Sequence, residues 1–187
     1  MSALESLLSR RSIPAQCLTE PGPDAAQLGL ALDAAMRAPD HGRMQPWRFK
    51  LIRGEAKARF CDILVAAALA HDPATPPRQL DKIRSRTQHA PLIIAVSARF
   101  RDNPKVPEIE QTLSVGAALM NLLNALHAQG FGAIMLTGPS VYDPTVAAAL
   151  GYGSDERLLG FMYVGTIGSL VPAAPERAAH SKVVSEF

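Results

Sequence analysis

The sequence predicts a single domain that mixes helices with strands, of the α/β or α+β class, and three observations carry that prediction. The chain has 187 residues, 48% of them apolar, enough for one sizeable core. Its hydrophobic pattern switches repeatedly between helical spacing and the alternation or short apolar runs of strands. Internal repeats, low-complexity tracts and long linkers are all missing from it.

Composition narrows the class of partner. Charged residues make up 19%, below the roughly 25% of an average soluble domain, and this excludes a disordered, solvating chain. Nineteen basic and 17 acidic side chains leave a net charge of +2. So small an excess asks for neither a nucleic-acid nor a membrane-surface partner. The longest apolar run, Ile63 to Ala70, falls short of the roughly 18 residues of a membrane span. Glu5 stands where a signal peptide would be apolar, so the chain is expected to be cytoplasmic. Cys17 and Cys61 form no CxxC pair and are expected to stay reduced.

The elements follow in order. Ser2 and Glu5 fit a capping box, and a short helix with Leu4, Leu7 and Leu8 on one face should run to about Arg10. A Pro/Gly turn at Thr19 to Pro23 precedes a second helix, N-capped by Asp24 and closed by Pro39. Asp40 to Gln45 is a polar loop. Trp47, Phe49 and Leu51 alternate with Arg48 and Lys50 as in a half-buried strand closed by Gly54. Glu55 to His71 has helical spacing, and a weaker helix covers Gln79 to Gln88. Pro91 to Ser97 reads as a strand buried on both faces.

Glu108 to Gln129 is the longest helix, apolar on several sides, which suits a central position or an oligomer interface. Gly130 stops it. Phe131 to Leu136 is a strand, Gly138-Pro139 a turn, and Asp143-Pro144 starts a helix ended by Gly151. Leu158 to Val164 is the last strand. The tail from Pro172 to Phe187 has few core residues and should wrap a surface or a partner.

Familiar chemistry is scarce. The five histidines form neither HExxH nor a Cys/His cluster, so no metal site is expected. GxSxG, GxGxxG and GxxxxGK[ST] are all missing. Two polar clusters remain. Arg10-Arg11-Ser12 places two guanidiniums and a hydroxyl at a helix end, where they can bind a phosphate or simply suit the helix dipole. Arg37 to Trp47 crowds cation, histidine, amide and aromatic into one loop, able to face a flat polar ligand or merely to turn the chain.

Taken together, RRS at residues 10–12 and APxxxxxQPW at Ala38 to Trp47 resemble the nitroreductase family of flavin enzymes. The resemblance extends through Ala128-Gln-Gly-Phe-Gly-Ala-Ile134 and Leu159-Gly-Phe-Met-Tyr-Val-Gly165, nearly the whole length, and is greatest to the small subgroup carrying MRAPDH. It implies an α+β fold, with a mixed, mainly antiparallel sheet flanked by helices, in an intertwined homodimer. Residues 1–187 would be one domain, with a tail of about 172–187 packing on the partner.

The same resemblance implies FMN at the subunit interface and NADH or NADPH as electron donor. Arg10, Arg11 and Ser12 would hold the phosphate and ribityl chain. Arg37 and His41 match cofactor positions of the small subgroup, Gln45 lies near the flavin, and Met135, Leu136 and Thr137 match the strand end that touches it. Ala125 to Gly130 match a nicotinamide-nucleotide stretch. Arg177 and Lys182 are the candidates for a C-terminal phosphate ligand. Asp40, His41 and Arg43 depart from the serines and asparagine of many relatives, and Met135-Leu136-Thr137 is more apolar than the subgroup's segment. The implied activity takes hydride from NAD(P)H to the flavin N5 and passes electrons to a nitroaromatic, quinone or similar acceptor by a ping-pong mechanism, with no catalytic side chain. A non-catalytic FMN-binding protein and a flavin-free dimeric module are the competing readings.

Overall fold

The computed structural model describes residues 2–187. Eleven elements carry the architecture: α1 (Ala3–Ser9), β1 (Leu18–Thr19), α2 (Ala25–Ala35), β2 (Trp47–Arg53), α3 (Ala56–His71), α4 (Pro77–His89), β3 (Leu92–Arg99), α5 (Glu108–Ala128), β4 (Phe131–Leu136), α6 (Pro144–Ala149) and β5 (Glu156–Ile167). Short side chains set several boundaries. The Ser2 hydroxyl accepts the Glu5 N–H while the Glu5 carboxylate accepts the Ser2 N–H, and Asp24 and Gln27 repeat that exchange before α2. Asp143 accepts from Thr145 N–H at the start of α6. Gly130, at φ 88°, turns the chain from α5 into β4.

The expected order of helices and strands is observed, with one addition. β1 is only two residues long and carries no periodicity for a pattern to reveal. Helix α2 ends at Ala35, ahead of Pro39. β5 runs past its expected apolar run at both ends, because polar Glu156, Arg157 and Thr166 continue the pairing.

Every ladder in the sheet is antiparallel. β5 lies between β3 and β4, β2 continues beyond β3, and β1 pairs with the last residues of β5. The core lies on both faces of this sheet. On one, Ile94, Val96, Met162 and Val164 pack against Leu28 of α2 and Val115, Leu122 and Leu126 of α5. On the other, Ile93, Phe161 and Tyr163 meet Phe60 and Leu64 of α3, Ile83 of α4 and Val146 of α6. β3 is thus buried on both sides, as its unbroken apolar run requires.

Some apolar surface finds no cover within the chain. Helix α1 buries none of its residues, and Leu4 and Leu8 are 64% and 78% exposed. Helix α5 leaves Ile109, Leu113 and Met120 in solvent. Residues 172–187 are exposed throughout. No described helix is long and apolar enough to cross a membrane.

Candidate functional site

Strand β4 organises the first half of the site. Ile13 N–H donates to Ala133 O at 3.0 Å, which fastens the Arg10–Ser12 segment beside the strand. Arg10 Nε is buried with no hydrogen-bond partner. Burial first, then the Arg177 cation, lowers the pKa of the Arg10 guanidinium. Burial and then Arg10 lower that of His127, at the end of α5. Two arginines and an imidazole therefore converge, and neither arginine has a carboxylate partner among the described residues. Arg10 is half-buried and Arg177 exposed, and a partly buried cation without a counter-charge is costly. Arg11 Nη1 donates to Pro172 O at 2.5 Å and ties down the base of the tail. Ser12 is exposed.

At its far end β4 delivers Met135 and Leu136, both half-buried, and exposed Thr137. Gly160 makes this possible: a Cβ there would lie 2.9 Å from Leu136 O and against the Met135 side chain. A cavity of about 840 Å³ opens past Leu136 and Thr137, between the end of β4 and helices α3 and α4.

The second half of the site is the loop from Asp40 to Gln45. The Asp40 carboxylate accepts the N–H groups of Met44 (3.1 Å) and Gln45 (2.8 Å). Gly42, Arg43 and Gln45 all have left-handed backbones (φ 66°, 53° and 47°), a conformation that must be held by its surroundings. Gly42 packs close enough to Val106 that a Cβ would meet Cγ2 at 3.0 Å. His41 Nδ1 lies 2.5 Å from Glu110 Oε2. Trp47 is buried, and its indole N–H donates to Met36 Sδ at 3.0 Å. Arg37 and Gln45 are exposed.

These halves lie on opposite edges of the sheet. Leu136 pairs with Phe161, whereas Trp47 reaches β5 through Ala98 at Arg157. The offset is about 14 Å across the strands and about 13 Å along them. One chain thus brings Arg10–Ser12 and Met135–Thr137 together on β4, and leaves Arg37, His41 and Gln45 remote from them.

His127 falls in the Ala125 to Gly130 stretch; in the structure its Nε2 lies 3.0 Å from Ser9 Oγ, and it is within electrostatic reach of Arg10. Of the two tail candidates, Arg177 and Lys182, Arg177 lies within electrostatic reach of Arg10. Lys82 and Arg86, which line the cavity, escape sequence reading, although their four-residue spacing on α4 is a signal. Among the described residues no group of three or more His, Cys, Asp or Glu could hold a metal ion.

Fold and site define an α+β protein with unpaired cations beside the start of β4 and a cavity at that strand's far end. The particular family follows: residues 7–166 match the profile described as "Nitroreductase family", and the chain belongs to that family. It is accordingly an oxidoreductase of the nitroreductase type. The Escherichia coli (strain K12) protein named "Putative NAD(P)H nitroreductase YdjA" is 44% identical over 166 residues, covering 89% of this chain and 88% of that protein. The crystal structure of a nitroreductase-like family protein from Bacillus cereus superposes with a TM-score of 0.87 at 20% identity, over 100% of this chain and 96% of that one. The FMN and NADPH-dependent nitroreductase NfnB from a Sphigopyxis strain gives 0.78 at 21% identity, over 100% and 99% of the two chains. These structures share the fold.

Proposed function

We propose that the chain is an FMN-dependent oxidoreductase, working as a homodimer, that takes hydride from NAD(P)H and reduces a nitroaromatic, quinone or similar small acceptor. The observation that carries this reading is the partnerless Arg10 Nε beside Arg177. The length of β4 supports it. From Ala133, where the Arg10–Ser12 segment is fastened, to Thr137 is about 13 Å of extended chain, a span that suits the reach from the phosphate of FMN to its ring. The residues present therefore fit the cofactor.

The chemistry supplied when FMN is bound is two-electron transfer, hydride from NAD(P)H to the flavin N5 and then electrons to the acceptor, in ping-pong order. The protein's part is binding and orientation. Arg10 and Arg177 neutralise the phosphate, with His127 beside them and Ser12 facing the ribityl chain. Met135, Leu136 and Thr137 flank the ring. Arg37, His41 and Gln45 cannot reach the same flavin within one chain, so they serve the site of the other subunit. The partner's His41 then completes each site. Uncovered Leu4, Leu8, Ile109, Leu113 and Met120 suit that pairing, as does an exposed tail laid on the partner as an arm. The two free cysteines suit a reducing cytoplasm.

A visible spectrum of the freshly purified protein, with chromatography of heat-released cofactor, tests this. About one FMN per chain, bleached rapidly on mixing with NADH or NADPH, is the expected result. Bound FMN that neither nucleotide reduces would leave only a flavin-binding role, and a colourless chain that takes up no FMN would end the proposal.

A further inference from the structure

The ladder between β2 and β3 ends at Trp47 and Ala98, yet the two segments stay in contact beyond it, in the same antiparallel order. Arg99 N–H donates to Pro46 O at 2.7 Å. The Asn103 side-chain amide donates to Met44 Sδ at 3.5 Å. Buried Val106 packs against Gly42, and Glu110 holds His41. The segment from Arg99 to Glu110 is therefore a brace laid along the Asp40–Gln45 loop. The left-handed backbones of Arg43 and Gln45 require such support.

Residues 100–107 of the brace have no regular secondary structure, and a single side chain pins them. Gln111, at the start of α5, is 1% exposed. Its Oε1 accepts Arg101 N–H at 3.1 Å, and its Nε2 donates to Arg101 O at 2.9 Å and to Val106 O at 3.0 Å. Both amide hydrogens and the carbonyl are thus engaged. Thr87 and Ser114, also buried, bond within their own helices. Gln111 instead commits its whole amide to a separate segment. A buried polar group satisfied in this way rigidifies what it joins.

We infer that Gln111 is a positioning residue of the cofactor site. Through the Arg99–Glu110 brace it sets the conformation in which the loop presents His41 and Gln45 to the flavin of the other subunit. This rests on the functional reading above and adds to it a residue too buried to touch cofactor or substrate.

Gln111→Met tests it, since the variant keeps the side-chain length and loses the bonds to Arg101 and Val106. The first readout is amide exchange in the flavin-free protein. The N–H groups of Met44 and Gln45, which the Asp40 carboxylate accepts, should exchange about tenfold faster or more. A purely structural role would quicken only Ile94 and Val96 of central β3, which exchange by global opening, and that result overturns the inference. The second readout is FMN affinity. The dissociation constant should rise roughly fivefold or more. It should rise no further when Gln111→Met is added to the double variant His41→Ala/Gln45→Ala, whereas additive losses overturn the inference. Asn103→Ala removes the Met44 contact without opening the core and should move both readouts in the same direction. It decides the matter if Gln111→Met does not fold, and loop exchange unaltered in Asn103→Ala then overturns the inference. A chain that takes up no FMN overturns the functional reading beneath it. The exchange data, which need no cofactor, tell that failure from a failure of the brace.

Discussion

Nδ1 of His41 lies 2.5 Å from the Glu110 carboxylate, so the first turns of α5 orient the imidazole of a strained loop. With Nδ1 engaged, Nε2 is the nitrogen presented outward. Both side chains are largely exposed, at 59% and 41%, and such a pair contributes at most about 1 kcal/mol to stability. On the proposed reading of His41 as a cofactor residue, the pair acts by preorganising the imidazole.

Replacement of Glu110 by Ala should therefore leave the thermal midpoint nearly unchanged and loosen FMN. Ordering one side chain on binding costs about 0.5–1.5 kcal/mol, so the FMN dissociation constant should rise roughly two- to tenfold. Flavin fluorescence titration of the reconstituted protein reads it. An unaltered constant would remove His41 from the cofactor site.

Arg10→Ala should separate cofactor affinity from apo-protein stability. Loss of a charge-assisted contact to phosphate costs about 1.5–3 kcal/mol, roughly ten- to 150-fold in FMN affinity. Without FMN the same change removes a half-buried cation that faces Arg177, so the stripped variant should melt no lower than the stripped parent. Calorimetry on both forms checks the pair of effects, and a variant destabilised equally with and without FMN would mean a purely structural arginine.

The tail offers a sharper contrast. Arg177 lies within electrostatic reach of Arg10, while Lys182 is exposed in a short turn, His180–Lys182. Arg177→Gln should weaken FMN about tenfold or more, and Lys182→Gln should not measurably change it. Equal effects, read by equilibrium dialysis, would show that the tail acts only through its overall charge.

How much of this is legible in the sequence depends on whether the signal is local. Helix α1 announces itself through Ser2 and Glu5, α2 through Asp24 and Gln27, and the turn into β4 through Gly130, because caps and left-handed glycines act within a few residues. β1 has no such signal, being two residues recruited by the end of β5. For the site, Arg10-Arg11-Ser12 shows that a phosphate could be held, yet the Arg11 bond to Pro172 O and the approach of Arg177 both come from the opposite end of the chain. Cationic pairing by long-range approach leaves no pattern in a tail without periodicity. The same holds for Arg37, His41 and Gln45, whose distance from β4 is set by strand order, a property of the whole sheet.

Gly160 carries a packing prediction. Its missing Cβ lets Leu136 O approach β5, so Gly160→Ala must push the end of β4 outward, at a cost of about 1–3 kcal/mol. Because Met135–Thr137 move with it, FMN should bind more weakly as well. A melting curve together with a flavin titration shows both, and a stability loss with unaltered FMN affinity would separate the β4 end from the cofactor.

His127 gives the pH prediction. Its pKa is lowered from 6.5, by burial and then by Arg10, so the unfolded chain holds the proton more tightly than the folded one. Stability then rises with pH wherever the unfolded state binds more protons. The FMN-free protein should therefore lose stability as pH falls below about 6.5, continuing down to the lower, folded-state pKa of His127, and His127→Gln should flatten that part of the profile. Bound phosphate reverses the sign of the local field: a dianion beside the imidazole favours its protonated form. From pH 7 upward, where the phosphate is already largely dianionic, FMN affinity should decline with rising pH in the parent and stay flatter in His127→Gln. Urea titrations of the stripped protein and FMN titrations of both forms, each repeated across pH 5.5–8.5 (an interval set to span roughly the ordinary histidine range), decide it. Parallel profiles for parent and variant in both series would mean that His127 faces away from the proposed phosphate site.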